Sequence, residues 1–169
     1  MANTVFNRQL ALYAAVHRDM RNRATHFVGI PIIVFALLLV LTLWRFEVVG
    51  REVTMAMVAT VFAVVGWLVL DLGIGLVLAV AMLAAWFAAE ALAFALGRAG
   101  SLVAFVALFV GGWMIQFLGH HYEGKRPALM DNFFQSFIGP MFLVAELLIE
   151  SGYRRDLANV IGEGDVTAQ

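Results

Sequence analysis

The sequence predicts an all-α, polytopic membrane helical bundle of about four transmembrane helices, and three observations carry that expectation. Hydrophobic residues make up 63% of the 169 positions, against ~45–50% in ordinary soluble domains. Mean hydropathy is +0.89. Apolar residues gather in four long stretches nearly free of charge, over residues 27–44, 53–70, 72–96 and 101–119. At ~1.5 Å rise per residue, each is long enough to cross the hydrocarbon of a bilayer. A soluble fold of this length could not hide so much apolar surface. Within lipid, only a helix satisfies the backbone of a single segment. The length suits one integral-membrane domain over 1–169.

Taken in order, residues 5–20 read as an amphipathic helix ahead of the first span. Phe6, Leu10, Tyr13, His17 and Met20 follow one another by four, three, four and three residues and form a stripe. The early arginines and the late start of the first apolar run do not describe a secretory signal. Arg45, Glu47, Arg51 and Glu52 mark the first connection between spans. Asp71 with Gly73 marks a tight second one, and Gly97, Arg98 and Gly100 mark the third. Beyond the fourth span, Pro127 reads as the first residue of a further helix. Residues 133–149 are apolar but hold Gln135, Pro140 and Glu146. Pro140 should break or kink that segment, which is expected to lie in the interface or to re-enter as two short pieces, with a fifth span that would move Arg154 and Arg155 to the other side as the alternative.

Lys and Arg placement sets the orientation. With the N-terminus in the cytoplasm, that side receives Arg8, Arg18, Arg21, Arg23, Lys125 and Arg126, and the other side Arg45, Arg51 and Arg98. A net charge of −1 argues against nucleic acid as a partner. The absence of cysteine excludes disulfides, thiolate ligands and a cysteine nucleophile.

All four histidines fall at two places. His17 and His26 lie near the start of the first span, and His120 and His121 close the fourth. Four crossings put both places on the cytoplasmic side, where helices one and four can bring them together. His17 and His26 are nine residues apart and would face opposite ways on one unbroken helix. A break is therefore required between them, with Asn22 as a possible N-cap. Trp113, Gln116, His120 and Glu123 share one face, and Gln116 should point into the bundle. Asp71 is on the same side and can join the group. Imidazoles with a carboxylate are a ligand set for non-haem iron or zinc. The competing reading makes the histidines ordinary headgroup-depth residues. Tyr13, Trp44, Trp113 and Tyr122 then read as packing or interfacial aromatics, and Glu90 as a paired far-side charge.

Two blocks at these residues resemble a known family, the small membrane proteins typified by the fungal 2-hydroxy fatty acid dioxygenase. The first block is Tyr13, His17, Asn22, His26, Gly29 and Pro31. The second is Gln116, Phe117, Gly119, His120, Glu123, Pro127, Ala128 and Leu129, continuing through Asp131, Asn132 and Gln135. The resemblance implies an iron(II), Fe(2+)-dependent dioxygenase that uses O2 to shorten a long-chain 2-hydroxy fatty acid by one carbon, drawn from membrane lipid. It implies metal ligation by His17, His26, His120 and His121, with Glu123, Tyr13, Asn22 and Gln116 as catalytic candidates. Arg18, Arg21 or Arg23 would assist the substrate carboxylate. A bacterial inner membrane is the expected location, or the endoplasmic reticulum for a eukaryotic member. Two other classes remain in play: a different metal-dependent lipid enzyme, such as a hydroxylase or zinc hydrolase, and a non-enzymatic transport or lipid-binding protein.

Overall fold

The computed structural model describes residues 4–126, 132 and 134–163. Pro127, Ala128, Leu129 and Asp131, with the helix expected to open at Pro127, lie outside the described residues. The fold is helical. α1 is Thr4–Ala14, α2 Met20–Leu41, α3 Met55–Leu70, α4 Leu72–Glu123, α5 Phe134–Glu150 and α6 Arg155–Glu163. Of these, α2 and α4 are long and apolar enough to cross a membrane, and α3 is a shorter apolar helix.

Local chemistry explains the boundaries. Asp19 caps α2, accepting a bond from the Arg21 amide at 2.8 Å, so the cap lies three residues before Asn22. α1 ends at Ala14, short of the predicted residue 20, and Met20 is exposed instead of completing the stripe. Phe6, Leu10 and Tyr13 are buried as expected. Asp71 alone joins α3 to α4. It ends α3 and caps α4 by accepting the Ile74 amide at 2.9 Å. Gly75 packs so closely on Leu68 that a Cβ there would lie 2.7 Å from the Leu68 nitrogen. Arg154 grips the Asp71 carboxylate and ties the start of α6 to this hairpin.

Within α4, Gly97 takes φ 64° and ψ 179°, a region open to glycine, and the chain turns back there. The reversal is visible in the neighbours. Glu90, before Gly97, bonds Arg45 and Thr54 beyond the end of α2. Gly112 and Gly119, after it, lie against Gly29 and against Asn22 with Thr25 at the start of α2. The returning leg of α4 therefore runs antiparallel to α2. The glycines allow the backbones to approach, as small residues do at membrane helix contacts.

The first connection is not a plain loop. Arg45–Val48 and Arg51–Thr54 pair as an antiparallel hairpin, β1 and β2. Its turn residues Val49 and Gly50 both have positive φ, as a tight two-residue hairpin turn demands. The segment expected to break at Pro140 is one continuous helix, α5, with Pro140 inside it. Ile138, Met141 and Phe142 are buried around the proline, and this packing outweighs the lost backbone bond. The Trp67 indole N–H donates to the Phe137 carbonyl at 3.1 Å and holds α5 against α3.

Candidate metal centre

The break required between His17 and His26 lies at residues 15–19, between α1 and α2. It turns the two imidazoles toward each other, and the end of α4 adds a third. His17, His26 and His120 are all buried, and each offers a nitrogen within 4.8 Å of the others. This group can hold a metal ion.

Hydrogen bonds fix how the rings present themselves. His17 Nδ1 lies 2.7 Å from the Tyr13 carbonyl, and His26 Nδ1 lies 2.8 Å from the Asn22 carbonyl. A carbonyl only accepts, so both Nδ1 atoms carry the proton and both Nε2 atoms keep a bare lone pair. Those two Nε2 atoms stand 3.1 Å apart. Two lone pairs at that distance repel unless a cation lies near both. Backbone carbonyls behind the ring are also the usual support of a metal-bound histidine. Burial, and after it the neighbouring His26, pulls the His17 imidazole down to about 3, so it stays neutral and able to ligate. His120 Nδ1 is buried without a hydrogen-bond partner among the described residues. The donor set fits a metal that accepts imidazole nitrogen.

The other predicted residues take different places. Tyr13 stacks on the His17 ring, with centroids 3.9 Å apart and planes 3° from parallel. Burial, with Glu146 adding to it, pushes the Tyr13 phenol upward, so it stays neutral. Asn22 is fully buried, and its amide donates to Glu123 at 3.1 Å. Glu123 also accepts the backbone amides of Arg18, at 3.0 Å, and Asp19, at 2.9 Å. Its carboxylate thus anchors the start of α2 to the end of α4. Gln116 lies beside the histidines, packed on Gly29. His121 is exposed and outside the histidine group. Asp71 is committed to Arg154. Arg21 pairs with Asp19 and covers the Tyr122 ring, and Arg23 pairs with Glu146. Glu90 is paired with Arg45 at the far end of the bundle.

A cavity of about 420 Å3 opens from the histidines between α2, α5 and the returning leg of α4. Its apolar wall includes Ile30, Ile33, Leu37 and Phe109. Trp113, read from sequence as a packing aromatic, also lines it, as does Gln135 of α5. The spacing of His26, Ile30, Ile33 and Leu37 along one helical face was the available signal for this wall.

The family described as 2-hydroxy-palmitic acid dioxygenase Mpo1-like matches residues 3–151. The 2-hydroxy-palmitic acid dioxygenase MPO1 of Saccharomyces cerevisiae is 44% identical over 50 residues. That alignment covers 28% of this chain and 29% of the yeast protein's length. No solved structure matches. Since the family match runs from α1 through the end of α5 and takes in all three converging histidines, the chain belongs to the Mpo1-like family.

Proposed function

We propose that the protein is a membrane-embedded, iron(II)-dependent dioxygenase that shortens long-chain 2-hydroxy fatty acids by one carbon. The observation that carries the reading is the pair of bare His17 and His26 Nε2 atoms, 3.1 Å apart beside His120, in the lining of a largely apolar cavity. Family membership and the dioxygenase name of the yeast relative support the reaction class.

His17, His26 and His120 would hold the iron, which supplies open positions for O2 and the two oxygens of a 2-hydroxy acid. Tyr13 packs flat on His17 and, with the carbonyl behind its Nδ1, fixes that ring. The Asn22 carbonyl does the same for His26. Glu123 holds the turn between them through the Arg18 and Asp19 amides. The apolar cavity wall excludes water from the reacting end.

The membrane reading rests on the surface. Phe62, Val80, Phe94 and Val103 are each at least 71% exposed, which suits contact with lipid. In this reading α2, α3 and the two legs of α4 make four crossings. The N-terminus and the histidines lie on the cytoplasmic side, in a bacterial inner membrane.

Metal analysis of freshly purified protein, with O2 consumption on a 2-hydroxy fatty acid, tests the proposal. Stoichiometric iron and substrate-dependent O2 uptake are expected. Stoichiometric zinc without O2 uptake would favour a hydrolase, since three imidazoles also suit catalytic zinc.

A further inference from the structure

We infer that a 2-hydroxy acid binds in one direction along the histidine cavity. Its polar head lies between the histidines and the Gln116 and Gln135 amides, and its acyl tail runs between α2 and the returning leg of α4. The inference builds on the dioxygenase reading and adds the pose and the route of entry.

The cavity is polar at one end and apolar at the other. His17, His26 and His120 line it together with Gln116 and Gln135. Gln116 is 7% exposed and Gln135 4%, and the Oε1 atom of each is buried without a hydrogen-bond partner among the described residues. A buried amide oxygen left without a donor is unfavourable, so the pair is suited to a ligand that brings hydroxyl hydrogen. Gln135 is already oriented, since its Nε2 donates to Gln9 at 2.6 Å. Arg21 and Arg23 are engaged with Asp19 and Glu146, so the pose assigns the head to these neutral amides and to a metal held by the histidines.

Along α2 and α4 the lining beyond the histidines is apolar, and α5 adds the Ser136 hydroxyl to the wall. Ile30, Ile33 and Leu37 follow His26 along α2, while Trp113 and Phe109 precede His120 along α4. The wall from His26 to Leu37 extends about 16 Å at the helical rise, enough for much of a long acyl chain. Leu37, at the far end, is 41% exposed, so the cavity opens sideways onto the lipid-facing surface. A tail already in the bilayer can enter there without passing through water. The second apolar cavity, about 260 Å3 between Phe27, Trp67, Met82 and Leu143, has no histidine or glutamine in its lining and offers no site for the head.

Two measurements on the full-length protein test the pose. The first uses a sixteen-carbon 2-hydroxy acid bearing a photoreactive diazirine at its tail end, bound without oxygen in lipid nanodiscs. Labelling is expected on Leu37, Phe109 and their neighbours. Labelling in the Trp67–Met82 cavity, or evenly over Phe62 and Val80, overturns the inference. The second compares chain lengths. Ile33→Trp places a ring across the groove and should lower the kcat/KM ratio of long over short 2-hydroxy acids about tenfold. An unchanged ratio overturns the inference. Should Ile33→Trp lose its metal, Leu37→Trp, which is one helical turn further from the histidines, gives the same reading. Labelling within the groove by a wild-type protein that consumes no O2 would sink the reaction and leave the groove standing.

Discussion

The two ends of the bundle each gather polar side chains, and they do so to opposite effect. At the hairpin end, Glu90 accepts from Arg45 at 2.6 Å, Thr54 at 2.7 Å and the Trp86 indole at 3.2 Å. Arg45 also pairs with Glu52. Every member of that cluster has a partner. At the histidine end, the His17 and His26 Nε2 atoms face one another, and Gln116 Oε1, Gln135 Oε1 and His120 Nδ1 have no partner among the described residues. Buried polar groups are normally satisfied, and those that are not call for an explanation. A satisfied cluster closes a fold, whereas an unsatisfied one is shaped for something that comes from outside.

The largest effect should follow from removing an imidazole. His17→Ala and His120→Ala are each expected to lose bound metal and to reduce substrate-dependent O2 uptake to background, by elemental analysis and oxygen electrode. Purified variants with full metal content would break the contrast between the ends. Glu123→Gln comes next. The carboxylate anchors the turn that carries His17 through the Arg18 and Asp19 amides, and its charge acts on His26 and His120. Metal affinity should fall ~10–100-fold, as it does when supports behind metal ligands are lost. Unaltered affinity would make Glu123 a helix cap and nothing more.

A smaller effect is expected at Gly119. A Cβ there would stand 2.0 Å from Thr25 Oγ1 and 2.5 Å from Asn22 Oδ1. Thr25 cannot simply swing away, because its hydroxyl donates to the Asn22 carbonyl at 2.6 Å. Gly119→Ala should cost ~1–3 kcal/mol in thermal unfolding, as overpacking does. Adding Thr25→Ala should restore part of that loss. Failure of the second change to help would mean that the contact between α2 and α4 is looser than these distances require.

The contrast was only partly legible in the sequence. The apolar stretches, the tight turn at Asp71 and the reversal at Gly97 could be read because each depends on local chemistry: hydropathy, a capping carboxylate, a glycine with positive φ. Counting passes then put both histidine blocks at one end. The start of α2 was misplaced by three residues because Asp19 and Asn22 are both good caps, and only the fold shows that Asn22 is needed to hold Glu123. The Arg45–Thr54 hairpin was hidden by its charges. Pro140 was expected to break a helix that tertiary packing keeps whole. Of the cavity only the α2 wall left a signal, in the spacing from His26 to Leu37; the rest could not be read, because Gln135 reaches it from a segment whose position depends on contacts with α1 and α3.

The smallest predicted effect is the sharpest test of the comparison. Glu90→Gln keeps an oxygen to accept from Thr54 and the Trp86 indole, and loses only the charge facing Arg45. Arg45 is 41% exposed and retains Glu52, so solvent and the second carboxylate absorb much of the change. Exposed pairs are worth about 0–1 kcal/mol, and the melting temperature should drop by only a few degrees. Metal content and O2 uptake should match the wild type, because among the described residues no hydrogen bond links this cluster to the histidines at the other end. A loss of metal in Glu90→Gln would mean that the far end transmits strain along α4 to His120, and that the two ends are one device.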